Sequence, residues 1–299
     1  MLHQRLLMEE ELTASDLIDL IKGSFPSLGI SKITINNRGW DNLVAIVNDA
    51  MVFRFPKSPS AEKSMKREIK LIRKLTGFPV SLPNYTHIPD SERFFAGYPI
   101  IPGVTLNNSS TLGKGIMRDV KAILKYLRNL DISVARSAGI PIYDKYSWLK
   151  RHQGILHSFE QSLSGITEPS FFPELREELI DALSGISGEC FSLAHGDLYR
   201  GNVLISPRHD RISGVIDWGD AFYGDYAFDI AAVTLDFSRR HSRELVREFS
   251  PESDETAMKR IFYYSKVEPL YLADNLMRKG YTSEAKRIVY EIMKKGGKN

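Results

Sequence analysis

The sequence Phe191-Ser-Leu-Ala-His-Gly-Asp-Leu-Tyr-Arg-Gly-Asn-Val-Leu-Ile205 decides the fold, because it sets a polar, glycine-containing loop between two apolar runs. Asp197 and Asn202 stand five positions apart in this loop. A further apolar run, 212–216, leads directly into Asp217-Trp-Gly-Asp220. If the runs that end at positions 205 and 216 pair as a hairpin, Asn202 and Asp217 come to neighbouring strand ends.

Asp197, Asn202 and Asp217 form a set that suits phosphoryl transfer. An amide oxygen of Asn202 and a carboxylate of Asp217 can share a hard divalent cation such as Mg²⁺, while Asp197 remains free to accept a proton. Phosphoryl transfer needs a metal to neutralise phosphate oxygens and a base to orient the attacking hydroxyl. An isolated Asp and Asn at this spacing would indicate only a polar turn. The flanking strands and the second aspartate favour the catalytic interpretation.

Composition places the chain among ordinary globular proteins. A length of 299 residues suits two domains of unequal size. The content of 42% hydrophobic residues is ordinary for a globular protein that buries a sizeable core. The net charge of +3 does not indicate a nucleic-acid partner. The single cysteine, Cys190, rules out an internal disulfide and is expected to be a buried, inert thiol. The first residues turn acidic early and no long apolar run follows, so we expect a cytoplasmic, monomeric protein without a membrane partner.

Hydrophobic periodicity predicts a change of architecture along the chain. Short strand-like runs and two helices are predicted up to about residue 101, including a strand pair at 85–88 and 94–101 and a turn at 48–50. Helical patterns dominate afterwards, with long helices predicted over 112–131, 143–164 and 174–183. The sequence therefore predicts an α+β protein with a β-rich first lobe and a helical second lobe, and a ligand crevice between the two lobes.

Residues 195–204 and 214–231 resemble the signature of aminoglycoside phosphotransferases and related small-molecule kinases, which share the two-lobed protein-kinase-like fold. Residues 39–44 and 52–56 are similar to the nucleotide-loop strands of the aminoglycoside and macrolide branch, and 97–106 resemble its interlobe hinge. The resemblance implies a nucleotide-binding lobe at 1–97, a hinge at 98–103 and a helical lobe at 104–299. It implies transfer of the γ-phosphate of ATP or GTP to a hydroxyl of a small molecule.

The family pattern assigns roles around the loop. Asp197 would be the catalytic aspartate, and Asn202 and Asp217 would be the metal ligands. His195 would brace the loop without exchanging protons. Asp229 would anchor the same loop, although an acid in the first turn of a helix is an equally good interpretation.

The family pattern also expects a basic residue on the third strand, paired with a helix glutamate. Arg54 and Glu68 match these positions, with Lys57 as the alternative phosphate contact and a solvated helix position as the alternative for Glu68. The remaining nucleotide-binding residues that the resemblance implies are Gly39, Asn42, Pro99, Ile101 and Ile216. Without a fuller glycine motif, Gly39 and Asn42 are also consistent with a plain hairpin turn, and Pro99 and Ile101 with an apolar strand end.

The acceptor is the least specified part of the site. The candidate acids on the acceptor side are Asp220, Asp236, Glu268 and Asp274. For each of them, a solvated or salt-bridged position is as good an interpretation as a contact with the acceptor. Aminoglycosides are polycations, so a site for them should carry several carboxylates. After residue 228, however, 14 basic side chains stand against 11 acidic ones, so all of the positive excess of the chain lies in the part expected to shape the acceptor site. This excess counts modestly against a polycationic acceptor. We expect an aminoglycoside as the acceptor, with a macrolide or an unidentified metabolite as alternatives.

Two other classes compete with a small-molecule kinase. A protein kinase is disfavoured because Tyr199 stands where kinases acting on Ser or Thr usually have lysine, and because no Ala-Pro-Glu follows Asp217. A catalytically silent nucleotide-binding protein is disfavoured because all three chemistry-bearing side chains are present. The sequence also has no Gly-x4-Gly-Lys-[Ser/Thr], Gly-x-Ser-x-Gly or His-Glu-x-x-His motif.

Overall fold

The structure is a computed structural model that describes residues 12–37, 39–90, 93–105, 114–208, 210–236, 242–249 and 254–296. No helix in these ranges is long and apolar enough to cross a membrane.

The first part of the chain forms a four-stranded antiparallel sheet of order β1-β2-β3-β4. Its elements are α1 (Ala14–Ser24), β1 (Ile33–Asn36), β2 (Asn42–Val47), β3 (Met51–Pro56), α2 (Pro59–Ile72) and β4 (Ala96–Pro99). The predicted turn between β2 and β3 is confirmed: Asn48 and Asp49 both have φ of 53°, in the left-handed region that Asn and Asp tolerate better than most residues. Helix α2 begins after Ser58, whose hydroxyl accepts a hydrogen bond from the Ala61 amide at 3.2 Å.

The remainder is mainly helical, which confirms the predicted change from a β-rich to a helical part. Its elements are β5 (Val104–Thr105), α3 (Lys114–Arg128), α4 (Ile132–Ala138), α5 (Lys145–Leu163), α6 (Phe171–Ser184), β6 (Phe191–Ala194), β7 (Val203–Ile205), β8 (Ile212–Val215), β9 (Phe222–Asp225), α7 (Ala227–Asp236), α8 (Ser242–Phe249), α9 (Asp254–Arg278) and α10 (Thr282–Gly296). Its core is one continuous apolar cluster that includes the fully buried Trp148 and Trp218.

The central loop of the sequence lies between two small sheets. Strand β6 pairs with β9, whereas β7 pairs with β8 and β5, all antiparallel. The predicted hairpin is confirmed, because Val203 stands opposite Val215 and the Ile216 amide donates to the Asn202 carbonyl at 2.9 Å. The residues that end β8 and precede β7 therefore meet at one edge.

A buried polar cluster fixes α9 to β9 beneath that edge. Arg260 on α9 donates to Asp225 at 2.7 Å, and the Tyr264 hydroxyl donates to the same carboxylate oxygen at 2.7 Å. The Trp148 indole donates to the Tyr264 hydroxyl at 2.7 Å. All four side chains are buried, so this fully paired network holds α5, α9 and β9 in a single arrangement.

Two predicted elements differ from those observed. Residues 85–88 do not form a strand and make only an isolated bridge at His87 with Gly97, because the flanking Pro83 and Pro89 have no amide hydrogen for a ladder. The pattern over 112–131 is a helix that ends at Arg128, with α4 following as a separate short helix capped by Asp131, whose side chain accepts from the Ser133 amide at 2.8 Å.

Candidate active site

Backbone geometry around Gly196 sets the shape of the central loop. Gly196 has φ of 82°, and a Cβ atom there would lie 2.3 Å from the Asp220 carbonyl oxygen, so only glycine fits. The Asp229 carboxylate accepts from the His195 amide at 2.7 Å and from the Gly196 amide at 3.0 Å. Burial raises the pKa of Asp229 to about 6, against the lowering effect of these two amides. Asp229 thus contacts the loop directly from the first turn of α7.

His195 is buried and spans the loop and strand β8. Its Nδ1 accepts from the Asp197 amide at 3.1 Å, so the proton lies on Nε2, which faces the Ile216 carbonyl oxygen at 3.2 Å. Burial lowers the pKa of His195 to about 4. The ring is therefore neutral near pH 7 and braces the backbone on both sides of Asp197.

Asp197 and Asn202 are in direct contact. The Asn202 Nδ2 donates to Asp197 Oδ2 at 2.5 Å and to the Asp197 carbonyl at 3.0 Å, which leaves the amide oxygen of Asn202 for another partner. Burial raises the pKa of Asp197 to about 7, with further contributions from the nearby Asp220 and Asp217 carboxylates. A carboxylate with a pKa close to neutral suits a general base.

Asp217 follows strand β8 in a strained backbone conformation. Its φ of 64° is unusual for a residue other than glycine, and such strain concentrates at functional sites. The carboxylate is half exposed (49%). The backbone hydrogen bond from residue 216 to residue 202 places Asp217 next to the end of β7 that carries Asn202. One carboxylate and one amide oxygen fit Mg²⁺, which typically binds one or two protein oxygens and takes its other ligands from phosphates and water.

Arg54 on β3 connects the two lobes through an ion-pair network. Its Nη1 lies 2.8 Å from both oxygens of Glu68, and its Nη2 donates to Asp217 at 2.6 Å. The Tyr85 hydroxyl accepts from Arg54 at 3.0 Å and donates to Glu68 at 2.9 Å. Burial alone would lower the pKa of Arg54, but the carboxylates of Glu68 and Asp217 raise it above its ordinary value. The guanidinium is therefore a fixed positive charge beside Asp217.

Lys57 takes a different place from Arg54. Its ammonium donates to the backbone carbonyls of Asn37 at 2.9 Å and Gly39 at 2.6 Å, and so closes the loop between β1 and β2. Gly39 forms a tight turn there, because a Cβ atom would lie 2.9 Å from the Asn42 carbonyl oxygen. Asn42 is buried and begins β2.

A cavity of about 570 Å³ opens between the lobes above these residues. Its walls include Gly39, Asn42, Arg54, Asp197, Asp217, Asp220 and Glu268 from the residues that the sequence singled out. Trp40, at the tip of the loop, also lines it and is 54% exposed. The Lys279 ammonium lies 5.2 Å from the centre of the Trp40 ring, so the loop tip touches the turn after α9.

The four acceptor-side candidates separate in the structure. Asp220 and Glu268 line the cavity. Asp274 instead accepts from Ser162 and, at 2.9 Å, from Arg278, and it contributes nothing to the cavity wall. The side chain of Asp236 lies outside the described residues.

The hinge candidates and Ile216 also lie apart from the walls of this cavity. Pro99 ends β4 opposite Met51, and Ile101 is buried against Gly214 of β8. Ile216 precedes Asp217 and contacts His195 through its carbonyl.

Sequence reasoning missed several side chains that the structure places at the site. Tyr85, Trp40, Asp41 and Arg151 were not predicted there. Tyr271 also lines the cavity. Only Trp40 and Asp41 carried a usable signal, since they adjoin Gly39 in the loop that resembles a nucleotide-binding element.

A β-rich lobe and a helical lobe with paired Asp and Asn side chains at their junction define a phosphotransferase of protein-kinase-like fold. Comparison with protein families agrees: residues 32–264 match the model of the phosphotransferase enzyme family (APH). The chain belongs to this family, and it is an enzyme of the small-molecule kinase type.

Solved structures of similar fold include aminoglycoside and macrolide phosphotransferases. The GDP complex of wild-type aminoglycoside 2′-phosphotransferase-IIIa superposes with a TM-score of 0.82 at 20% identity, covering 95% of this chain and 100% of that one. The GDP and kanamycin complex of APH(2″)-IIIa gives 0.82 at 21% identity, with 93% and 98% covered. A macrolide 2′-phosphotransferase from Brachybacterium faecium gives 0.67 at 19% identity, with 91% and 96% covered.

Proposed function

We propose that the protein transfers the γ-phosphate of ATP or GTP to a hydroxyl group of an amino-sugar antibiotic, with an aminoglycoside as the leading acceptor and a macrolide as the alternative. The observation that carries this proposal is the position of Asp197. Its carboxylate lies in the interlobe cavity, hydrogen-bonded to Asn202 and close to Asp217, with its pKa raised to about 7 by burial.

Asp197 acts on the acceptor hydroxyl. The carboxylate orients this hydroxyl toward the γ-phosphate and accepts its proton as the new O–P bond forms. The bond between the γ-phosphate and the β-phosphate oxygen breaks, and the nucleoside diphosphate leaves with that electron pair. The Asn202 amide holds the carboxylate in place at 2.5 Å. His195 and Asp229 fix the backbone on which Asp197 stands, through the contacts to the amides of residues 195–197.

Asn202 and Asp217 would hold Mg²⁺. When bound, this ion neutralises the phosphate oxygens and so favours the transfer. Arg54, held by Glu68 and Tyr85, lies 2.6 Å from Asp217 and supplies a second positive charge for the same phosphates. The loop that contains Gly39 and Asn42 would cover the nucleotide, and Lys57 stabilises that loop.

We place the nucleotide-binding lobe at 1–97, the hinge at 98–103 and the helical lobe at 104–299, with adenine or guanine bound to the Pro99 carbonyl and the Ile101 amide beside Ile216. The enzyme would act as a cytoplasmic monomer. Support comes from the chain path, since β4 ends at Pro99 and β5 begins at Val104 in the other lobe.

A direct experiment is to measure nucleoside diphosphate release with kanamycin, a macrolide and a panel of hydroxylated metabolites. Asp197→Asn should lower kcat by about a hundredfold or more, because it removes the base. Asp210→Asn, an exposed carboxylate in the β7–β8 hairpin, is the matched control and should leave kcat unchanged. Full activity of Asp197→Asn, or phosphate appearing on proteins and on none of the small molecules, would contradict the proposal.

A further inference from the structure

Helix α2 holds the turn 217–220, which follows β8, at two backbone positions. The Ser64 hydroxyl donates to the Gly219 carbonyl at 3.0 Å, and the Glu68 carboxylate accepts from the Trp218 amide. Residues 64 and 68 are one helical turn apart and therefore lie on the same side of α2. The helix thus binds the amide of one residue of the turn and the carbonyl of the next.

The Ser64 hydroxyl is itself oriented by Arg67. The Arg67 Nη2 donates to Ser64 Oγ at 3.1 Å. An oxygen that accepts this bond keeps its single proton for the Gly219 carbonyl. The backbone of the turn also passes close to the helix, because a Cβ atom built on Gly219 would lie 3.7 Å from Ser64 Cβ. The short side chain of serine suits this separation.

The turn that α2 holds begins at Asp217 and ends at Asp220. Asp217 has a φ of 64°, a conformation that a residue other than glycine keeps only when its surroundings impose it. Its side chain bonds to Arg54 at 2.6 Å. Within the turn, the Ala221 amide donates to the Trp218 carbonyl at 3.2 Å. The bonds from α2 come from outside the turn and fix the backbone directly after Asp217.

We propose that Ser64 is a positioning residue for the metal ligand Asp217: its hydroxyl anchors the turn at Gly219 and so keeps the Asp217 carboxylate where it binds Mg²⁺. The inference rests on the proposed function, in which Asn202 and Asp217 hold the ion. Partners behind a metal ligand orient it, and their loss typically lowers metal affinity by about ten- to a hundredfold. A single hydroxyl on a neighbouring backbone group belongs at the low end of this range.

A purely structural role for Ser64 leads to a different expectation. Alanine is a better helix former than serine, which partly offsets the lost hydrogen bond in the stability of the whole protein. Ser64→Ala should therefore leave the midpoint of urea unfolding nearly unchanged. The turn, however, loses one of its two bonds to α2. Positioning thus predicts a local effect at 217–221 and a weaker metal site without a matching loss of stability.

The test compares the wild type with Ser64→Ala, Ser64→Thr and Ser137→Ala. The threonine variant keeps the hydroxyl. Ser137→Ala is the matched control, because it removes an exposed hydroxyl that donates to the Val134 carbonyl of its own helix at 3.0 Å. Amide hydrogen exchange of residues 217–221 is measured by mass spectrometry in the ligand-free protein. The Kd for Mg²⁺ is measured by calorimetry with a non-hydrolysable nucleotide present.

We expect Ser64→Ala to speed amide exchange of residues 217–221 by about fivefold and to raise the Kd for Mg²⁺ by about tenfold. The Kd for nucleotide without Mg²⁺ should stay within about twofold of the wild type, because the hydroxyl acts through the turn alone. Ser64→Thr and Ser137→Ala should match the wild type. Unchanged exchange, an unchanged Kd for Mg²⁺, or a threonine variant as weak as the alanine variant would overturn the inference.

Asp217→Asn separates the failure of this inference from that of the proposed function. A wild type that binds Mg²⁺ no more tightly than Asp217→Asn contradicts the proposed metal site, and the inference falls with it. A wild type whose Mg²⁺ affinity depends on Asp217, together with a Ser64→Ala variant of equal affinity, overturns the inference alone and leaves the proposed function in place.

Discussion

Replacing Tyr85 by phenylalanine removes a single hydroxyl group from the network that joins Arg54 to Glu68. The ring is buried and stays in place, so the change leaves packing almost untouched. The hydroxyl donates to Glu68 at 2.9 Å and accepts from Arg54 at 3.0 Å. Both partners are buried and belong to one ion pair.

The magnitude follows from those two bonds. A hydrogen bond to a charged group contributes about 1.5–3 kcal/mol to stability, and the two bonds share one hydroxyl, so we expect a loss of about 2–3 kcal/mol in the free energy of unfolding. Arg54 also loses a contact that fixes its orientation toward Asp217. The KM for nucleotide should therefore rise about fivefold, with a smaller change in kcat.

Urea unfolding of the nucleotide-free protein, followed by circular dichroism, measures the free energy of unfolding. Steady-state kinetics at a fixed acceptor concentration measure the KM for nucleotide. Tyr98→Phe is the matched control. Tyr98 is also buried and its ring lies 5.0 Å from that of Tyr85, but its hydroxyl bonds to neither Arg54 nor Glu68. Equal effects of the two substitutions, or a Tyr85→Phe loss below about 0.5 kcal/mol, would refute the reasoning.

Three further perturbations test separate features. Burial lowers the pKa of His152 to about 3, so the unfolded chain binds a proton that the folded chain excludes, and stability should fall as the pH drops from 6.5 toward 3, by up to about 1.4 kcal/mol per pH unit. His152→Met should flatten this pH dependence in urea titrations, and an unaltered slope would argue against the assignment. Gly196→Ala forces a Cβ atom to 2.3 Å from the Asp220 carbonyl oxygen and should cost about 1–3 kcal/mol together with most of the activity; a fully active alanine variant would contradict this. Lys57→Met frees the carbonyls of the loop at Gly39 and should raise the nucleotide KM about threefold at nearly constant kcat, and a kcat effect alone would be inconsistent with a loop-stabilising role.

The sequence could predict the parts of the site that are local in the chain. Asp197, Asn202 and Asp217 lie within 21 residues, and a short hairpin is enough to bring the last two together. The two-lobed fold could also be predicted from the sequence. The change from strand to helix periodicity is visible in short segments of the chain, and those segments keep the same secondary structure in the folded protein.

Contacts between distant segments could not be predicted in this way. Tyr85 and Arg151 reach the site only through the packing of the lobes and of α5, and neither has a neighbouring motif. Glu268 and Asp274 look equivalent as acids on one helix, but six residues correspond to about 600° of rotation, so they point to different faces. Tyr271 and Leu272 share the face of Glu268 and line the cavity with it.

The exposed Trp40 makes intrinsic tryptophan fluorescence sensitive to the surroundings of one loop. The chain has three tryptophans, and the other two, Trp148 and Trp218, are fully buried in the helical lobe. Long-wavelength emission and quenching by acrylamide should therefore come from the tip of the loop that contacts Lys279. Because Trp40 also lines the interlobe cavity, nucleotide binding there can be followed by stopped-flow fluorescence in the unlabelled, unmutated protein.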